Sequence, residues 1–210
     1  MRSFLRFLSF ALVALPASWS LVGCGRSTQA SVTDIRGVMP PLAFSLMRVN
    51  DGKSVDATSY RGKVVALYFG YTHCPDECPT TLANMASVFH KLGAQAQQVR
   101  LLFVSVDPSR DTPALLKTYV QAFAPETDGL RGSNDAIAAL ARRYRVIYQV
   151  TPTSPGHSYE VTHSASLFVF DKQGTARFVT MSTDDTNGMV KTLGDLVDGN
   201  SEREPSGSPS

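Results

Sequence analysis

Two cysteines, Cys74 and Cys78, lie in the stretch Gly70-Tyr71-Thr72-His73-Cys74-Pro75-Asp76-Glu77-Cys78-Pro79. Paired thiols at this spacing are open to three chemistries: a structural disulfide Cys74-Cys78, a redox couple, or a metal site. A metal site needs at least one further ligand, and two thiolates with an imidazole suit copper or zinc rather than a hard cation. The chain has 4 histidines. His90 follows Phe89 on the helix expected after the thiols and reads as solvent-facing. His157 sits in a loop rich in Pro, Ser and Gly. His73 adjoins Cys74, but neighbouring side chains diverge, so a packing or hydrogen-bonding role suits it better than ligation. His163 precedes a strand that should lie beside the one carrying the thiols. Spacing alone leaves it open between a ligand and a satisfied core histidine.

The elements around the thiols are legible. Val64 to Phe69 is an unbroken apolar run of the kind a sheet interior takes. Leu82, Met85, Phe89 and Leu92 recur at helical spacing from about Pro79 onward, with Pro79 in the first turn. Cys78 is then at a helix N-terminus, where the macrodipole favours a thiolate, and Cys74 is on the loop before it. Positions four apart on a helix lie about 6 Å apart, within reach of a shared ion.

Val99 to Val106 is a second buried-type strand, and two such runs joined by a helix argue for parallel pairing. Asp111 or Thr112 can cap the next helix, Ser133 or Asn134 the one after. Asn50-Asp51-Gly52 marks a hairpin turn near the start. Val146 to Val150 reads as a strand, Thr151 to Ser158 as a loop, and residues 165–181 as a hairpin before a last helix. The sequence predicts an α/β, thioredoxin-like fold: a central mixed sheet flanked by helices, with an N-terminal β-hairpin extension.

The N-terminal end reads as an address rather than as structure. Arg2 and Arg6 precede an apolar run from Phe7 to Leu15, and no acidic residue occurs before Asp34. This is the layout of an export signal, interrupted too early by Pro16 to span a membrane. It ends Leu21-Val22-Gly23-Cys24, similar to a bacterial lipobox in which Cys24 would be lipidated. The expected organisation is a signal over 1–23, a linker over 24–38, a single domain over 39–199 and a disordered tail over 200–210. Arg2 and Arg6 account for the formal net charge of +2, so the exported chain is neutral and offers no basic face to nucleic acid.

The thiol stretch, together with Ser105-Val106-Asp107-Pro108, Arg110-Asp111-Thr112 and Tyr159, Val161, His163-Ser164, resembles the Sco/SenC family of copper-binding cytochrome c oxidase assembly proteins. The resemblance runs from about Phe44 to Lys191. It implies one copper per domain, as Cu(I) or Cu(II), held by Cys74, Cys78 and His163. The implied role is delivery to the dinuclear copper centre of the oxidase, so the copper-centre subunit is the expected partner, with a periplasmic copper donor upstream. The implied location is the cell envelope, lipid-anchored and facing the periplasm. Asp107, at a strand end near the thiols, is a candidate to support the ligands from behind, or a plain turn residue before Pro108. Arg110 can pair with Asp107 or Asp111. Thr162 departs from the family, where an acidic residue is more usual. A competing enzymatic reading uses the same pair as a thiol-disulfide oxidoreductase that keeps the oxidase cysteines reduced. The three residues between the thiols, against two in thioredoxins, argue against it.

Overall fold

Every residue of strand 64–70 is buried, because the chain places β-branched and aromatic side chains on both of its faces. A computed structural model describes residues 32–152 and 159–200 of the chain. The stretch expected as an export signal, Cys24, His157 and the tail from 201 lie outside the described residues. Within them the chain runs β1 (Val32–Asp34), β2 (Ser45–Arg48), β3 (Lys53–Asp56), β4 (Val64–Gly70), α1 (Glu77–Leu92), β5 (Val99–Ser105), α2 (Pro113–Gln121), β6 (Thr127–Arg131) and α3 (Asn134–Arg143). It continues through β7 (Tyr148–Pro152), β8 (Tyr159–His163), β9 (Leu167–Phe170), β10 (Ala176–Thr180) and α4 (Thr186–Val197).

Eight strands form one mixed sheet in the order β1-β10-β9-β4-β5-β6-β2-β3. β4, β5 and β6 are parallel, in register from Val64 opposite Val99 to Gly70 opposite Ser105 on the first pair. β9 closes on β4 antiparallel, with Tyr68 opposite Leu167. Val64, Ala66 and Tyr68 pack under α1, α2 and α4, while Val65, Leu67 and Phe69 meet α3 on the opposite face. The alternation follows from the two-residue repeat of a strand. Each large apolar side chain buried in these two layers contributes about 1.5–3 kcal/mol. This is the thioredoxin-like arrangement that the sequence predicts.

The local signals mostly act as expected. Thr112 caps α2 with Pro113 in its first turn, and Ser133 caps α3. The expected N-terminal hairpin is β2–β3, and it extends the main sheet through the pairing of β2 with β6. Val32–Asp34, inside the stretch expected as linker, forms β1 against β10. The expected loop 151–158 begins instead as strand: Thr151 and Pro152 belong to β7, and 153–158 lie outside the described residues. β7 and β8 make a two-stranded sheet of their own. No helix among the described residues is long and apolar enough to cross a membrane.

Candidate metal centre

β4 ends at Gly70, and the chain turns through Tyr71 to Asp76 before α1 begins. Only glycine fits at this exit, since a Cβ on Gly70 would stand 2.7 Å from the Cys78 sulfur and 2.8 Å from the Phe103 ring. The turn is fixed from the neighbouring strand. Val106 N–H donates to the Gly70 carbonyl at 2.9 Å. Asp111, wholly buried, accepts from the Thr72 hydroxyl at 2.6 Å, the Thr72 N–H at 3.2 Å and the Ser105 hydroxyl at 2.5 Å. Asp111 was expected to cap a helix or pair with Arg110; Thr112 takes the cap, leaving Asp111 to tie the thiol turn to the end of β5.

Cys78 is in the first turn of α1 with 0% of its surface exposed, and Cys74 is half-buried at the turn. Burial pushes the Cys78 thiol well above its ordinary range, opposed by a backbone hydrogen bond from Tyr71. This corrects the expectation that the helix dipole would favour a Cys78 thiolate: desolvation outweighs the dipole when the sulfur has no water. It is the Cys74 sulfur that accepts the Cys78 backbone N–H, at 3.4 Å. Cys74 and Cys78 are both free thiols.

His163, the last residue of β8, arrives from 85 positions away and sets its Nε2 at 3.3 Å from the Cys78 Sγ. Its Nδ1 faces the Ser164 carbonyl at 3.2 Å. A carbonyl only accepts, so Nδ1 carries the proton and the Nε2 lone pair is turned to the sulfur, the tautomer a metal-binding histidine needs. Burial lowers the affinity of His163 for a second proton. Tyr68 and Tyr71 hold the imidazole by edge-on contacts with ring centres at 5.9 and 5.8 Å.

The two sulfurs and one His163 ring nitrogen all lie within 4.8 Å of one another. Metal–sulfur bonds of about 2.3 Å and metal–nitrogen bonds of about 2.0 Å separate two ligands of one ion by about 3–4 Å. The donors therefore need only small inward shifts to share an ion. Their chemistry, two soft sulfurs and an imidazole, selects copper or zinc over magnesium or calcium. The cleft above them, about 550 Å³, is lined by Tyr71, His73, Cys74, Glu77, Arg110 and Tyr159 among others. His73 is outside the cluster and bonds its own neighbour, Thr72 Oγ1, at 3.0 Å, as a hydrogen-bonding residue. His90 is exposed on α1.

Asp107 does not touch the ligands. Its buried carboxylate accepts from the Tyr159 hydroxyl at 2.7 Å and from Arg110 Nε. Of the two partners open to Arg110, it takes Asp107. From the sequence Tyr68 and Tyr71 have no role, Tyr159 appears only within a motif, and Asp111 reads as a cap or a partner of Arg110 rather than as the tie to Thr72. Tyr68 lies within a buried run and looks like core; its hydroxyl at 3.9 Å from the Cys78 sulfur appears only in three dimensions. Tyr159 carried a signal as part of the motif ending in His163, and Asp111 as part of Arg110-Asp111-Thr112.

A family model for SCO1/SenC matches residues 41–198. The mitochondrial SCO2 homolog of Bos taurus is 43% identical over 133 residues, which are 62% of this chain and 50% of that protein. The chain spans about half the length of the curated relatives it matches. The copper-bound ScoI of Bradyrhizobium japonicum superposes with a TM-score of 0.66 at 35% identity, over 74% of this chain and 96% of that one. Copper-bound yeast Sco1 superposes with a TM-score of 0.69 at 28% identity, over 80% and 92% of the two chains. The match takes in β2 through α4, with the sulfur pair and the imidazole inside it, and by that extent the chain belongs to the SCO1/SenC family.

Proposed function

We propose that this protein binds one copper ion through Cys74, Cys78 and His163 and passes it on during assembly of cytochrome c oxidase, to the dinuclear copper centre. The observation that carries the reading is the convergence of two thiol sulfurs and an imidazole nitrogen within 4.8 Å. Copper in the related ScoI and Sco1 structures supports the choice of ion. Each thiol gives up its proton to bind, so capture depends on pH and on both sulfurs being reduced. Three protein donors leave a coordination position open toward the cleft, and a recipient's ligand can enter there before these leave. A lipid on Cys24 would anchor the chain at the envelope, on the periplasmic side; this part rests on the export segment alone.

The test is the copper content of the reduced full chain. The expectation is one ion per chain, lost in Cys78→Ser and held more weakly in His163→Ala. A reduced protein that takes up no copper, or keeps it undiminished in both variants, would sink the reading.

A second reading, thiol-disulfide exchange with the oxidase cysteines, draws support from one observation. The Cys74 sulfur is at the cleft and accepts a helix N-terminal N–H, the setting of an attacking thiol. Exchange needs no imidazole, so a His163→Ala protein that still supports oxidase assembly would favour it over delivery.

A further inference from the structure

We propose that Tyr159, Asp107 and Arg110 form a latch that positions His163, holding β8 against the thiol turn and so setting how readily the imidazole leaves the sulfurs. The inference rests on the reading of Cys74, Cys78 and His163 as the copper site. It begins with what β8 lacks. Among the described residues β8 pairs only with β7, in a two-stranded sheet separate from the main one. No ladder hydrogen bond ties it to β4 or β5, so side chains must hold it.

Tyr159, Val161 and His163 are alternate residues and share the strand face turned to the protein. Val161 is buried in the core layer below α3. Tyr159 is held three ways. Its hydroxyl donates to Asp107 Oδ1 at 2.7 Å. Its ring lies under the Arg110 guanidinium, whose central carbon is 4.0 Å from the ring centre. Its carbonyl accepts from Arg110 Nη1 at 3.3 Å. Arg110 Nε bonds the second oxygen of Asp107, which closes the group.

The group is also joined to the imidazole from the other side. Arg110 stands 5.8 Å from the Tyr71 ring centre, and that ring meets His163 edge-on. Asp107 is 3% exposed, so its charged bonds are little screened by water and each is stronger than a surface pair. A turn residue before Pro108 would have no use for a tyrosine hydroxyl from 52 positions away. The latch therefore accounts for Asp107 where a turn role does not.

The test uses the full chain with Tyr159→Phe, which removes one hydrogen bond and keeps the ring over Arg110, and with Arg110→Met. In the metal-free protein, amide hydrogen exchange across 159–163 should rise about tenfold in each, with β4 unchanged. Release of Cu(I) to a chelator should be about tenfold faster in Tyr159→Phe, and no faster than His163→Ala when both changes are combined. Unchanged exchange in both single variants would overturn the latch. So would a release rate that Tyr159→Phe speeds equally with His163 absent, since the effect would not run through the imidazole. A wild-type chain that takes up no Cu(I) defeats the copper reading alone; the exchange measurement still decides the latch.

Discussion

The sulfurs and the imidazole reach the site from regions built on different terms. The thiol turn grows out of β4 and into α1, between a strand with every residue buried and a helix whose inner face is core. The arm that brings His163 is a two-stranded sheet with an open outer side: β7 shows Val150 at 49% exposure, and Ile147 just before it at 77%. The sulfurs are thus fixed by the fold, and the imidazole is held by a few side-chain contacts. Under the proposed role as a carrier of a soft ion, this division has a use. The rigid half keeps the pair poised, and the weakly held half supplies a ligand that can be withdrawn without unfolding the domain.

The strongest way to break the rigid half is Gly70→Ala. The new methyl would stand 2.7 Å from the Cys78 sulfur and 2.8 Å from Phe103, and neither has room to move in a filled core. Overpacking of this kind costs about 3 kcal/mol. Chemical denaturation should show that loss, and copper stoichiometry should fall with it because the sulfur is displaced. A fully stable variant would mean that the junction yields more easily than its packing implies.

Asp111→Ala comes next, at about 2 kcal/mol, since it leaves the Thr72 and Ser105 groups without their buried acceptor. Denaturation midpoints check the size. The contrast with the arm is sharper than the number: Asp111→Ala should lower global stability, whereas Tyr159→Phe should chiefly raise local exchange at β8.

These two residues also mark what the sequence could and could not convey. β4 was legible because an unbroken run of Val, Leu, Tyr and Phe has few other uses. Thr112 and Ser133 were legible as caps because capping is a contact of two or three residues. Asp111 was not, because its partner Thr72 is 39 positions earlier and nothing local announces it. Cys78 misled for a related reason: its helix position is a local fact, its burial a global one, and burial wins. The β7–β8 pairing was missed because Thr151 to Ser158 is dominated by turn-forming residues, although Pro152 at a strand end breaks no ladder. His163 was ambiguous on its own residues, and only the resemblance singled it out.

Buried Cys78 gives the comparison a pH axis. Its thiol is held protonated by burial, and with the Nε2 lone pair as acceptor it donates across 3.3 Å to His163. Copper capture must displace that proton. Apparent Cu(I) affinity should therefore rise about tenfold per pH unit for this proton, roughly 1.4 kcal/mol per unit, as read by chelator competition across neutral pH. His163 works in the opposite range. Its lowered pKa means the unfolded chain takes up a proton near 6.5, the ordinary imidazole value, before the folded one does. Metal-free stability from this group is complete above that pH and declines as pH falls toward the folded value. The second trend should vanish in His163→Ala, while a Cu(I) affinity flat across neutral pH in the unaltered chain would rule out the first.

The smallest effect expected is at the outer side of the arm. Ile147 is the most exposed large apolar residue among those described, and its side chain leaves little apolar surface buried for a substitution to forfeit. Ile147→Thr keeps the β-branched shape that suits a strand edge, so stability should change by less than about 0.5 kcal/mol. Exchange at 159–163 should also hold steady, because the attachments of β8 lie on the inner side, at Tyr159, Val161 and His163. Thermal unfolding and amide exchange on one sample give both numbers. A large loss of protection in β8 would mean the hairpin depends on its outer surface as much as on its inner one. The arm would then be a sheet stabilised by itself, and the contrast with the thiol junction would rest on size rather than on how each is attached.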